Sequence, residues 1–179
     1  DDDAQAKSYA LNVIRNVTEQ ASARLEFARF AFGAAGSAHA MIDLTTAEKI
    51  SRGFVKITQG KHKLIWRGAP GFVAKDKVKL LLNLFLVAYG AIPRGGSIDV
   101  TLDNPEFDAT FKLAARGRML RVPPKFMEIL SGTPEEAVDA HSIQPYYTVL
   151  LADEAGMELD VAASPEEIVF SARVVPASE

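Results

Sequence analysis

The 179-residue chain has no cysteine. A disulfide framework, a thiolate metal site and a cysteine nucleophile are therefore excluded, and nothing in the composition argues for an oxidising compartment. Long apolar runs are missing too: the stretch Leu80 to Leu86 is far shorter than a bilayer crossing requires. The start Asp1-Asp2-Asp3 is the opposite of a basic signal peptide. We expect a cytoplasmic protein with no targeting segment and no membrane partner. Basic residues are not in surplus, 20 Lys and Arg against 23 Asp and Glu, so nucleic acid has no general electrostatic pull on the chain. Histidine is scarce, with three residues in all, and no cluster of His and carboxylates has zinc-ligand spacing.

What remains is an ordinary globular composition, about half hydrophobic and a quarter charged, long enough for one sizeable domain with an appended element. From Ala4 to Phe32 there is neither proline nor glycine, and Leu11, Ile14, Thr18, Ala21, Leu25, Ala28 and Phe32 recur in three- and four-residue steps. This spacing predicts one long helix, and the apolar residues flanking the stripe widen it to what a helix inside a bundle presents. Gly33 and "GAAGSA" end it as a small-residue hinge. The reading divides the chain into a bundle helix over 1–35, a hinge over 36–40 and a second domain over 41–179.

In that second domain a short helix is expected after Thr45 or Thr46 as N-cap, then a strand around Leu64 and Trp66, then a helix from about Lys75 to Ala91 stopped by Pro93 and Gly95-Gly96. Strands follow at Ser97 to Leu102 and Phe107 to Ala114, joined through Asp103-Asn104-Pro105. Pro123-Pro124 opens a short helix and "SGTPEEAVDAHS" reads as a loop. A helix from Ile143 to Ala155 stops at Gly156, and two alternating strands finish the chain. The class is α+β: a mostly antiparallel sheet with helices on one face.

The order "NLxxxAxxxxPRGGSIxV", carried by Asn83, Leu84, Ala88, Pro93, Gly95-Gly96 and Ile98, resembles the first nucleotide box of the GHKL (Bergerat-like) ATPase fold of sensor kinases and gyrase. The polar residues of that chemistry are absent. Where the kinases carry a magnesium-binding asparagine stands Val87, which has no acceptor oxygen. Where an aspartate should read adenine stands "AARGRMLRVPP", and "DAHSIQPYY" replaces the glycine-rich lid. The ATP boxes are expected to be lost.

Four stretches, "SARLEFARFAFGAAGSA", "KVKLLLNLFLVAYGAIPRGG", "GRMLRVPPKF" and "DAHSIQPYYTVLLADEAGM", closely resemble the alphaproteobacterial ChpT-type histidine phosphotransferases. The resemblance implies a cytoplasmic homodimer joined through a helix bundle. It would relay a phosphoryl group between the receiver domain of a hybrid histidine kinase and those of response regulators, without ATP or any cofactor of its own. Magnesium would come with the receiver. In such proteins the phosphoryl group sits on a histidine early in the first bundle helix, and that pattern is absent here. His39 lies in the hinge, His62 at a strand start and His141 in a loop. We expect the long helix to be the second of the hairpin, the acceptor histidine lying upstream of Asp1.

An antiparallel partner helix would set that histidine beside Arg24, Phe27, Arg29 and Phe30, which become receiver-docking candidates, with bundle core as the other reading of the two phenylalanines. Arg116, Arg118 and Arg121 form a second set, expected as a basic loop. Steering of acidic receivers, a merely solvated loop and phosphate binding all remain open for it. Asn83 is expected to be satisfied by backbone, and Tyr146 and Tyr147 to pack on the sheet. Two rivals stand beside the phosphotransferase: a non-enzymatic dimeric adaptor that docks receivers, and an active ATP-binding kinase.

Overall fold

The structure is a computed structural model and describes residues 2–33, 40–103, 109–133 and 137–175. Its elements are α1 (Asp2–Phe32), β1 (Met41–Asp43), α2 (Leu44–Lys56), β2 (His62–Gly68), β3 (Phe72–Ala74), α3 (Lys75–Gly90), β4 (Gly96–Asp103), β5 (Thr110–Gly117), α4 (Pro124–Leu130), α5 (Ile143–Glu154), β6 (Met157–Ala163) and β7 (Ile168–Val174). Most of the expected hinge, including His39, lies outside the described residues, as do residues 104–108 of the β4–β5 connection.

Five strands form one sheet in the order β2-β4-β5-β7-β6. Only β2 and β4 run parallel, because α3 returns the chain between them, and the remaining pairs are antiparallel. Period-two alternation sends Ile98, Val100 and Leu102 of β4, Phe111, Leu113 and Ala115 of β5, and Phe170 and Ala172 of β7 into one buried layer. α3 covers that layer. It is buried along Val78, Leu80, Leu81, Leu82, Leu84, Phe85, Val87 and Ala88, so a nearly continuous apolar sequence is what its central position demands.

Several boundaries differ from the sequence reading. The N-cap of α2 is Asp43, whose carboxylate accepts from the Thr45 backbone N–H at 2.8 Å, and neither Thr45 nor Thr46 caps. The cap thus lies two residues before Thr45 and three before Thr46, and its short carboxylate satisfies a first-turn donor. The strand expected from Phe107 begins at Thr110 and continues to Gly117, drawn on by pairing with β4 as far as Gly96. β1 and β3, three residues each, were not anticipated, being too short to show a period.

The turn between α3 and β4 explains its glycines. Gly95 and Gly96 have φ of 95° and 149°, and their N–H groups donate to the carbonyls of Ile92 and Lys61, each at 2.9 Å. A Cβ on Gly95 would strike the Lys61 carbonyl oxygen, and one on Gly96 the Arg116 carbonyl oxygen. Gly96→Ala is therefore expected to lose about 1–3 kcal/mol or more, read as a lower urea midpoint at unchanged slope.

Candidate docking and phosphotransfer site

α1 has two different halves. Toward its C-terminus Phe27 and Ala31 are buried, at 2 % and 0 % exposure, against the rest of the chain. The Phe27 ring lies 4.6 Å from Phe54 of α2 and 5.8 Å from Phe85 of α3, and Phe54 and Phe85 meet edge-on at 5.9 Å. This aromatic trio fastens the helix to the sandwich. Phe27 is therefore corrected from docking candidate to core: it has no surface to offer a partner. Further toward the N-terminus Tyr9, Leu11, Val13, Ile14 and Val17 are exposed, and Leu25 is 71 % exposed. The helical stripe that the spacing predicts thus lies open over most of its length.

Arg24 and Arg29 are exposed, and Phe30 is half-buried on the core margin with the Arg29 guanidinium 5.2 Å above its ring. Arg24 borders an open cavity of about 680 Å³ together with Lys61, His62, Tyr89 and Pro93. Arg29 and Phe30 border one of about 270 Å³ with Ile42, Lys75 and Val78. Phe32, 45 % exposed, contacts the Tyr147 ring of α5 at 6.0 Å, so exposed apolar surface continues from α1 onto α5. There Ile143, Tyr146 and Leu150 are solvent-facing at helical spacing. Tyr146 does not pack on the sheet, and Tyr147 rests on Phe32. Burial, with Glu154 nearby, raises the Tyr147 phenol above its ordinary pKa.

The second arginine set is not one loop. Arg116 belongs to β5, where β-pairing carries its side chain to the solvent face of the sheet beside Asp99 at 3.6 Å and Glu167 at 2.5 Å. Asp99 also accepts from Arg67 at 3.0 Å. Two carboxylates neutralise Arg116, which corrects its reading as a free basic rim. Arg118 and Arg121 follow the strand and are exposed, and the Arg121 N–H donates to the Ala91 carbonyl at 2.9 Å, tying this segment to the end of α3.

Val87 and Phe126, in the stretches compared with the nucleotide boxes, belong to the core. Val87 is 3 % exposed inside the core. Phe126 of α4 is fully buried against Phe170 of β7, their rings edge-on at 6.0 Å. Ahead of α5, Asp139 accepts from Ser142 Oγ at 2.7 Å and from the Ser142 and His141 N–H groups at 2.8 and 3.0 Å. The Ser142 hydroxyl first, then the two backbone donors, hold its carboxyl below the ordinary aspartate value. The loop caps itself with its own carboxylate.

Asn83 is fully buried and makes contacts that the sequence did not foretell in full. Its Nδ2 donates to the Lys79 carbonyl at 2.9 Å, as expected for a helix residue satisfied by backbone, and also to the Ala31 carbonyl of α1 at 2.9 Å. Gln144 of α5 donates through Nε2 to the Asn83 carbonyl at 3.1 Å and to Oδ1 at 3.2 Å. Of the described histidines, His62 is buried, stacks on Tyr89 at 4.4 Å and shares a 3.0 Å hydrogen bond with the Ile92 carbonyl. His141 is exposed in the loop before α5. Neither is on α1.

This arrangement, a helix packed on a sandwich with a β2-β4-β5-β7-β6 sheet, is the histidine-kinase catalytic fold. A mycobacterial sensor histidine kinase, MprB, superposes with a TM-score of 0.56 over 76 % of this chain and 96 % of that one, at 16 % identity, a likeness of fold alone. A solved bacterial phosphotransferase superposes far better, with a TM-score of 0.84 and 50 % identity, covering 93 % of this chain and 80 % of the other. The protein phosphotransferase ChpT of Brucella abortus (strain 2308) is 52 % identical over 164 residues, 91 % of this chain and 78 % of that protein. Residues 44–167 match the histidine phosphotransferase C-terminal domain. The chain belongs to the histidine phosphotransferase family.

Proposed function

We propose that this protein relays a phosphoryl group, on a histidine, between the receiver domain of a hybrid histidine kinase and those of response regulators. The supporting observation is its family membership, joined to a helix whose apolar face is open where a second bundle helix would lie. The acceptor histidine belongs to that covering helix. Two such hairpins meeting on this face form a cytoplasmic homodimer that buries Leu11, Ile14 and Val17.

Transfer from phosphohistidine to aspartate asks this chain mainly for positioning. The receiver brings the carboxylate and its magnesium ion, so no resident cofactor is needed. Arg24 and Arg29 flank the histidine and attract the acidic receiver pocket, while Phe30, Phe32 and Tyr147 supply apolar contact. Arg118 and Arg121 add positive charge at the end of α3. ATP has no part in this scheme: Val87 gives magnesium no ligand, and Phe126 occupies core space. A fluorescent ATP analogue with magnesium is expected not to bind at hundreds of micromolar. Micromolar binding would restore the kinase reading.

A further inference from the structure

In the sensor-kinase box Asn83 would serve a nucleotide; here it joins three helices. Its side chain is completely buried, 0 % exposed, and no described polar atom of it lacks a partner. Nδ2 divides its two hydrogens between Lys79 on its own helix and Ala31, 52 residues away in sequence and one residue from the end of α1. Oδ1 and the main-chain carbonyl both accept from Gln144, 61 residues away in the first turn of α5. Gln144 is held in turn: its Nε2 donates to Thr148 Oγ1 at 3.0 Å, and the Thr148 hydroxyl donates to the Gln144 carbonyl at 2.9 Å. Thr148 is fully buried. Asn83 and Thr148 are buried and Gln144 is half-buried, so a shift of α1 leaves the Asn83 amide without its Ala31 partner and a shift of α5 breaks the bonds from Gln144.

We infer that Asn83 and Gln144 are positioning residues for phosphotransfer: they lock α1 to α5 in one orientation, so that a receiver meets Arg29, Phe32 and Tyr147 as a single preformed surface. The aromatic trio supplies attraction between α1 and the sandwich without direction, whereas the hydrogen bonds fix rotation and register. The network touches no reacting group. It acts through the placement of Phe32 and Tyr147, whose 6.0 Å contact lies next to Ala31 in sequence on one side and within a turn of Gln144 on the other. This inference rests on the phosphotransferase reading for its function, though not for its geometry.

The 179 residues carry no cysteine, and any cysteine elsewhere in the longer protein is first replaced by serine. Spin labels are placed at Glu19→Cys on α1 and Asp153→Cys on α5, both exposed, in full-length protein mixed with excess unlabelled protein so that a dimer carries one labelled copy. The distance distribution is measured beside phosphotransfer kinetics. We expect one narrow distance in the parent. With Gln144→Leu, and with Asn83→Asp, which turns a donor into a second acceptor facing the Ala31 carbonyl, the distribution broadens. kcat/KM for the receiver falls roughly tenfold or more, chiefly through KM. If Asn83→Asp does not fold, Gln144→Leu decides alone. A distribution left narrow in a folded variant, or an unchanged KM, overturns the inference. A parent that shows one narrow distance yet transfers no phosphate leaves the joint standing and removes the phosphotransferase reading instead.

Discussion

Phe27→Ala is expected to cost about 3–5 kcal/mol of stability. The side chain is 2 % exposed and meets two other rings, so truncation removes transfer energy and leaves a cavity between α1, α2 and α3 that rigid helices cannot close. Urea denaturation followed by circular dichroism would show it as a reduced midpoint. Phe27→Leu retains most of the volume and should lose less than about 1.5 kcal/mol. A Phe27→Ala midpoint matching the parent would mean that α1 is not fastened to the sandwich by this contact. The docking reading of Phe27 would then reopen.

Charge reversal at Arg29 should have the largest effect on transfer. Arg29→Glu sets a carboxylate against an acidic receiver pocket, where like charges repel, so kcat/KM for phosphotransfer falls about tenfold to a hundredfold at low salt. High salt should narrow the difference, because the residue is exposed and its field is screened. Arg116→Glu is the contrasting case. Its guanidinium already sits between Asp99 and Glu167, so reversal perturbs the sheet's surface and should leave transfer within about twofold of the parent. Equal losses from the two substitutions would place the docking surface on the sheet rather than on α1.

Much of the fold was legible because its elements are long and punctuated. α1 has no glycine or proline until Gly33, α3 ends in a turn that requires two glycines, and α5 is closed by Gly156 at φ 62°. β1 and β3 were not, since three residues carry no period and their pairing is set by packing. The site was legible in its chemistry and only partly in its geometry. The apolar character of Val87 was legible by residue type alone, and the structure places it in the core at 3 % exposure. Whether Phe27 faced a partner or the core depended on a 100° turn of helix relative to the sandwich, which local spacing does not determine. Arg116, Arg118 and Arg121 looked alike in sequence, and strand register separated them by giving Arg116 two carboxylates across the sheet. The part of Asn83 that ties α1 to α5 had no sequence signal, because hydrogen bonds 52 and 61 residues apart leave no local pattern.

Transfer on a histidine without ATP can be measured directly. The full-length protein, with the proposed upstream helix, would be mixed with a receiver domain labelled with radioactive phosphate on its aspartate, in magnesium and without nucleotide. Acid-labile, base-stable label is expected to appear rapidly on the phosphotransferase and to be abolished when the acceptor histidine is replaced by alanine. Failure of any label to move from the receiver, together with labelling from γ-labelled ATP, would contradict such transfer.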